Sequence, residues 1–540
     1  MRHFTATATL LCASVAWAQS GTTAQDATVS AITYGYPLLA FQKLATPFVS
    51  GNITNYLYHM PKLATAADRT VVKPNVDTLY SVVIYDLSQA DLSLTIPDII
   101  PASQFALFSF YDPYGDNYAN AGTGNFNRSG QYLIQAPLSG SSQFGLEPVE
   151  GQSEVNSTVA SVHSPTTYGI ILVRWLVKSG NEDDIRRYQN ATRLQPVQRL
   201  QRGDAPALTS LSIANTTSST PAVTVLQLLS KLAFWNQPQL ANQTNAINES
   251  LTAAGINDGT YSKPDSVDIA TANSSADGDI LGAAESQSND VRLNNGWSIT
   301  RPGLAGNFDN GTNYAYRAAI ASIGYLMLQA PNAVYPSWSN TSATNISESF
   351  GADQFLGPDE AYVYTFSRKP PLMSTGFWSI TAYADNYLIP NNLDRYQLGD
   401  RSNLTFPSGT PVYGDNATDG TFQVLVQAAD RTPPATWTSN WLPGPAGGGN
   451  MTALLRWYGA ENDLLDGTYV YPVVTKRAAI VADGSDNGSA TTTAGSSTVP
   501  VGSSAGTASP AAYTGGAVRS CHPSHTVWVA GLLYALLHML

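Results

Sequence analysis

Two aspartates set close to tyrosines, Asp77 with Tyr80 and Asp112 with Tyr114, are the residues of this 540-residue chain whose types and spacing best suit proton-transfer chemistry. A pair of carboxylates can cut or rearrange a glycosidic bond, one as acid and the other as base or nucleophile. In such a site Tyr80 and Tyr114 would be hydrogen-bonding or general-acid partners. Asn75, Asn117, Arg174, Arg395 and Tyr396 would bind the substrate, with Arg174 or Arg395 holding an anionic group. A lyase acting on a uronate-containing sugar needs a similar set: a base, a tyrosine and a cation near the carboxylate. This filter is loose, because two Asp are common in any large β protein. The same residues fit a non-catalytic surface protein whose aromatic side chains bind glycans or fill a structural role, with Asn75 and Asp77 merely satisfying turn backbone.

Other chemistries are narrowed by the two ends of the chain. Met1 to His3 is a short cationic start, Phe4 to Val15 is mostly apolar, and Ala16-Trp17-Ala18 is a small-residue cleavage site, which together predict a secretory signal over residues 1–18. At the far end, Gly515-Gly516-Ala517 precedes a polar spacer and the apolar run Val527 to Leu540. This order predicts a GPI-anchor signal over 515–540 with attachment near Gly515, and the apolar run is short for the ~20 residues that a spanning helix needs. Cys12 and Cys521 would leave with these segments, as would every histidine except His59 and His163. The expected mature chain therefore has no disulfide, no cysteine nucleophile and no four-ligand zinc site, and no cofactor is predicted. A formal net charge of -12 argues against a nucleic-acid partner, which needs clustered Lys and Arg. An extracellular polar or glycan ligand is the expected partner, with membrane contact through the lipid anchor alone.

The elements that must position the chemistry are mostly strands. Thr78 to Asp86 alternates, with Leu79, Ser81, Val83 and Tyr85 on one face and Tyr80, Val82, Ile84 and Asp86 on the other. Further alternating segments run over Leu92 to Ile96, Phe105 to Tyr111 and Tyr132 to Ile134. Gly169 to Val177 is a nearly continuous apolar run that carries Arg174 at its centre. A guanidinium in a strand buried on both faces needs a partner, so a carboxylate is expected beside it, either Asp77 or Asp112. Asn181 to Asp184 reads as a cap and acidic first turn of a helix ending before Pro196. Helical spacing marks residues 24–49 with a break at Pro37, Val223 to Phe234, Ile247 to Ala254 and Tyr314 to Leu328. Asp265 to Asp290 reads as a polar, irregular connector. Beyond Asn332, short aromatic or branched strands recur at Tyr362 to Phe366, Gly376 to Tyr383, Phe422 to Val426 and Leu454 to Tyr458, which predicts a sandwich or jelly roll.

After Lys476 the composition falls to Ser, Thr, Gly, Ala and Asp, a stalk that cannot bury a core. Sequons begin at Asn52, Asn127, Asn156, Asn190, Asn215, Asn242, Asn248, Asn273, Asn310, Asn340, Asn345, Asn403, Asn416, Asn450 and Asn487, consistent with a sugar-coated secreted body.

Ala31 to Pro37, the run from Asn75 through Asp77 to Tyr80, and the turn Phe110 to Asn117 resemble the domain of unknown function 1254. Gly376 to Ser379, Asn392 to Tyr396, Gly399 to Arg401, Asn440 to Pro443, Leu455-Arg456 with Tyr458, and Asp466-Gly467 resemble its usual partner, the domain of unknown function 1214. Departures from the second pattern are Asp394, where Asn is expected, and Gly444, where Ala is usual. The resemblance implies a mainly β chain with helical insertions (α+β): a β-rich domain with an N-terminal helix over 24–200, a mainly helical middle section over 201–330, a sandwich-like domain over 331–476 and a stalk over 477–514. It carries no settled activity.

Overall fold

The computed structural model of the chain describes residues 23–482, apart from 70–72, 138–142, 151–156, 179, 200–203, 210–212, 214–219, 258, 340–352 and 415–417. The expected secretory signal, most of the stalk, the anchor signal with Gly515, and the sequons at Asn156, Asn215, Asn340, Asn345, Asn416 and Asn487 lie outside the described residues. Among the other sequons Asn273 is half-buried and the rest are exposed.

The chain is mainly β, with a helical middle region between two β-rich parts. In the N-terminal part, a five-stranded sheet takes the order Tyr58–His59, Thr78–Asp86, Tyr168–Leu176, Ala106–Tyr111, Asn117–Gly122. A second five-stranded sheet contains Arg193–Val197, Asp91–Ile96, Gly130–Gln135, Thr158–His163 and Gly145–Pro148. The alternation in Thr78–Asp86 decides what each face covers. Leu79, Val83 and Tyr85 point into the core between the sheets with Phe108, Trp175 and Ile134. Val82 and Ile84 point the other way, into a core shared with helices Ala24–Gly35, Leu38–Ser50 and Pro221–Leu232. Each large apolar side chain so buried contributes roughly 1.5–3 kcal/mol. The sheet is thus covered on both sides, which is why Tyr168–Leu176 reads as a continuous apolar run.

The C-terminal part is a sandwich. Its first sheet is built on two long paired strands, Leu372–Ala384 and Gly449–Ala460, and its second runs Trp441–Gly444, Phe422–Ala428, Glu360–Phe366, Val473–Ala478. Trp378, Ile380, Leu455 and Trp457 fill the core between them with Tyr364, Phe366 and Phe422. Period two then sends Ser379, Thr381 and Tyr383, together with Arg456 and Tyr458, to the opposite face of the first sheet. These side chains are buried nonetheless, because that face packs on the N-terminal domain: Phe377 and Tyr458 join its helical core, and Tyr383 and Leu454 close over Val76.

Three local expectations change. Asp265 to Asp290 contains the 16-residue helix Ile269–Ala284, whose N-cap Asp268 accepts from the amides of Ala270 and Thr271. Its buried stripe, Ala272, Ala276 and Ile280, is made of small side chains that give little apolar signal. The helix after Asn181 runs Glu182–Ala191 with its acidic first turn and ends before Pro196 as expected, but its cap differs. Asn181 does not cap that helix; its Oδ1 accepts from the Lys178 amide at 2.7 Å. The helix from Tyr314 ends at Gly324, and Leu326 follows in the left-handed region. Among the described residues no helix is long and apolar enough to cross a membrane.

Candidate functional site

The site is built where the outer face of the C-terminal sheet meets the start of the strand Thr78–Asp86. Asn75 makes the turn into that strand: its Oδ1 accepts from the Asp77 amide at 2.6 Å and the Thr78 amide at 3.3 Å. This leaves its Nδ2 free to donate to the Tyr458 hydroxyl at 2.7 Å, across the domain boundary. Asp77 also crosses the boundary. Its Oδ2 accepts from Ser379 Oγ at 2.6 Å, and its Oδ1 pairs with Arg401, which in turn holds Asp400 at 3.2 Å and lies 4.8 Å from the Phe377 ring centre.

Arg174 does not meet Asp77 or Asp112, contrary to the sequence expectation, and among the described residues no carboxylate lies within ion-pair reach of it. It sits directly across the ladder from Tyr80, on the face turned toward the C-terminal domain, 5.9 Å from the Tyr80 ring centre. Its Nη1 reaches the Ser109 and Tyr111 hydroxyls, each at 3.4 Å. Phenol rings and hydroxyls thus surround the charge, an arrangement that aromatic faces tolerate. Arg174 Nε and Nη2 make no hydrogen bond to the described residues, and neither is among the fully enclosed polar atoms that lack a partner.

From the other domain comes Arg456, likewise buried. Its Nη2 donates to the Tyr383 hydroxyl at 2.7 Å and its Nη1 to Thr381 Oγ1 at 3.0 Å. Arg174 and Arg456 act electrostatically on the same phenols, Tyr335 and Tyr458, whose hydroxyls lie 3.2 Å apart. Burial holds the Tyr458 phenol well above its ordinary pKa; Tyr335 and Tyr80 push the same way and Arg456 opposes. Tyr80 and Tyr111 are also raised by burial, with Arg174 opposing. These phenols are held in their neutral form near pH 7; Tyr458 accepts from Asn75 and Tyr111 from Arg174, and each keeps a hydroxyl proton to donate. Asn75, Tyr80 and Tyr335 are half-buried, and so carry the cluster outward to its solvent edge.

Asp112 and Tyr114 belong to a different cluster. Asp112 Oδ1 accepts from the Tyr114 amide at 2.9 Å and the Asp116 amide at 3.0 Å, while Asp116 pairs with Arg317 at 2.8 Å. The Arg317 guanidinium lies 4.7 to 5.1 Å from the ring centres of Tyr34, Tyr114 and Tyr314. Burial first, then the Asp116 charge, pushes the Asp112 carboxyl well above the usual range, against Arg317. Tyr114 donates to the Asn236 carbonyl, and Asn117 donates to the carbonyls of Phe110 and Ala119, so both hold backbone in place. Among the described residues Asp77 and Asp112 share no hydrogen-bond or ion-pair partner.

Arg395 and Tyr396 lie on the loop after Leu388. Arg395 donates to the Trp441 carbonyl at 2.8 Å, and Tyr396 packs near Val76 while donating to Asp394 at 3.1 Å. Asp394 has φ 48°, a left-handed conformation that Asn and Asp both tolerate. At Gly444 an added Cβ would stand 2.8 Å from Leu356 Cδ2, so here glycine fits the neighbour present.

Of the residues singled out from sequence, the structure brings Asn75, Asp77, Tyr80 and Arg174 together, and leaves Asp112, Tyr114 and Asn117 in the second cluster. Sequence reasoning did not place Tyr111, Tyr335, Tyr383, Arg401, Arg456 or Tyr458 in a site. Arg456, Tyr458 and Arg401 were visible only as parts of family motifs; the cue available was an arginine and a tyrosine two apart in an apolar strand. Among the described residues no group of three or more His, Cys, Asp or Glu is placed to hold a metal.

The profile of the proteins of unknown function DUF1254 matches residues 54–196, and that of DUF1214 matches residues 344–462. No curated protein matches the sequence. Among solved structures, the VPA0106 protein of Vibrio parahaemolyticus is similar at 17% identity and a TM-score of 0.53, covering 84% of this chain and 100% of that one, which shows a shared fold. An uncharacterized protein from Burkholderia cenocepacia is 13% identical with a TM-score of 0.35, covering 82% of this chain and 87% of that one.

Proposed function

For a chain that belongs to the paired DUF1254 and DUF1214 family, we propose a role as a secreted, surface-anchored protein that binds an extracellular glycan at the boundary between the two domains. The observation that carries this reading is the convergence of Asn75, Tyr80 and Arg174 with Tyr335, Arg456 and Tyr458 in one cluster with a half-buried edge. Tyrosine rings offer flat faces to sugar C–H groups, and phenol and amide donors match sugar hydroxyls. Secretion and the lipid anchor rest on the two terminal segments of the sequence, and the exposed sequons fit a body bathed in the extracellular medium.

Binding is favoured over carboxylate-pair catalysis by what the carboxylates do. Glycoside cleavage needs two carboxyl groups facing one bond, roughly 5 to 9.5 Å apart. Asp77 is held by Arg401 and Ser379, and Asp112 by backbone amides in the other cluster. Titration calorimetry of the purified protein with neutral and acidic oligosaccharides tests the proposal. At least one is expected to bind, and Tyr335→Ala to weaken it by ten-fold or more. Absence of binding to any of them, or an unchanged affinity in Tyr335→Ala, would refute the assignment.

A further inference from the structure

The ligand's chemical class follows from the free half of one guanidinium, and the inference rests on the binding site just proposed. Arg174 presents five N–H donors in a rigid plane, as every arginine does. Its Nη1 is spent on Ser109 and Tyr111, while Nε and Nη2, the two nitrogens along one edge of the plane, engage no described residue and are not sealed off. That edge is the fork that grips a carboxylate through two parallel hydrogen bonds. The charge count agrees. Asp77 and Asp400 both pair with Arg401, while Arg174 and Arg456 have no carboxylate within ion-pair reach among the described residues, so three guanidiniums accompany two carboxylates and positive charge is left over. A carboxylate on the open edge of Arg174 supplies a negative charge where none of the described residues does. Around the fork stand phenol hydroxyls, from Tyr80, Tyr335 and Tyr458, as a hydroxyl-rich ligand requires.

We propose that Arg174 is the anchor for one carboxylate of an acidic sugar, a hexuronate, gripped through Nε and Nη2 while Tyr80 and the Tyr335–Tyr458 pair meet its hydroxyls. The remaining members of the cluster position it. Arg456 stiffens Tyr383 and Thr381, and Asn75 fixes the Tyr458 hydroxyl.

The test uses the purified full chain with trigalacturonate, its methyl ester and neutral galactotriose as probes in titration calorimetry. Trigalacturonate is expected to bind at least ten-fold more tightly than the ester or the neutral trisaccharide. Arg174→Lys keeps the charge and loses the fork, so that preference is expected to fall to less than three-fold. Far-ultraviolet circular dichroism and the melting temperature report whether the variant is folded, and the comparison among probes on the native chain needs no variant at all. Equal binding of acid, ester and neutral sugar by the native chain would overturn the carboxylate assignment while leaving glycan binding intact. Displacement of trigalacturonate by an equimolar amount of inorganic phosphate would overturn it as well, showing response to charge rather than to the fork. Absence of binding by all three sugars removes the glycan reading itself.

Discussion

Two aspartates four residues apart behave as opposites. Asp116 neutralises the buried Arg317, whereas Asp112 is pushed toward its protonated form by burial and by the Asp116 charge. Asp116→Asn therefore strands a guanidinium among tyrosines and is expected to cost about 3–5 kcal/mol. Asp112→Asn keeps an oxygen for the amides of Tyr114 and Asp116 and removes an ionisable group. A carboxyl whose folded pKa is raised binds protons more tightly when folded, so its stabilisation is present at low pH and is lost as pH rises through that pKa. Asp112→Asn is thus expected to be neutral or stabilising at pH 7, within about 1 kcal/mol on either side at pH 4. Urea unfolding of both variants at the two pH values checks this, and a large loss in Asp112→Asn at pH 7 would contradict it. Residue types in the sequence were enough to select Asp77, Tyr80, Asn75 and Arg174, since polar groups in an apolar setting are conspicuous. Their partners were hidden: Arg401 lies far along the chain from Asp77, and no local pattern says which acid meets which base.

Elements were legible in proportion to the size of their apolar residues. The alternation in Thr78–Asp86 assigned each side chain to the face it occupies, because Leu, Val, Ile and Tyr give period two a strong signal. Helix Ile269–Ala284 was missed because alanine packs its inner stripe. The short edge strand Tyr58–His59 offers a test at this scale. His59 Nδ1 lies 2.7 Å from Ser81 Oγ, which also accepts from Trp175 Nε1 at 2.9 Å. Trp175 can only donate, and a neutral imidazole can take the Ser81 hydroxyl proton at Nδ1. Burial first, then Arg193, lowers the His59 pKa to about 4. Between there and the ordinary value of 6.5 the unfolded chain binds the extra proton, so this contribution is complete above pH 6.5 and is lost as pH falls toward 4. His59→Asn is expected to flatten the fall in stability over that window, with little change at pH 8. Denaturant midpoints taken at half-unit steps measure the slope; an unchanged slope would show that His59 does not titrate there.

The whole molecule holds together across its domain boundary through ionic and polar contacts set on an apolar ground. Asp77–Arg401, Asn75–Tyr458 and Tyr383 with the Pro74 carbonyl all join residues that are hundreds of positions apart. Asp77→Asn leaves Arg401 with Asp400 alone in a buried place and is expected to cost about 2 kcal/mol or more. The loss is expected to fall on the docking of the domains, so that a single thermal transition splits in two in calorimetry. One sharp transition at the native temperature would contradict this. The C-terminal sandwich could be anticipated from short strands at regular spacing, but its docking could not, because the outer face of Leu372–Ala384 mixes Ser379 and Thr381 with Phe377 and Tyr383 and names no partner.

The N-terminal part supplies Arg174, Tyr80 and Tyr111 and the C-terminal part Arg401, Arg456, Tyr383 and Tyr458, so neither sheet alone makes the cluster. A chain that lost either half, or exchanged it for an unrelated module, would lose the cluster in a single step. Carrying both halves on one chain keeps the two contributions present in equal number.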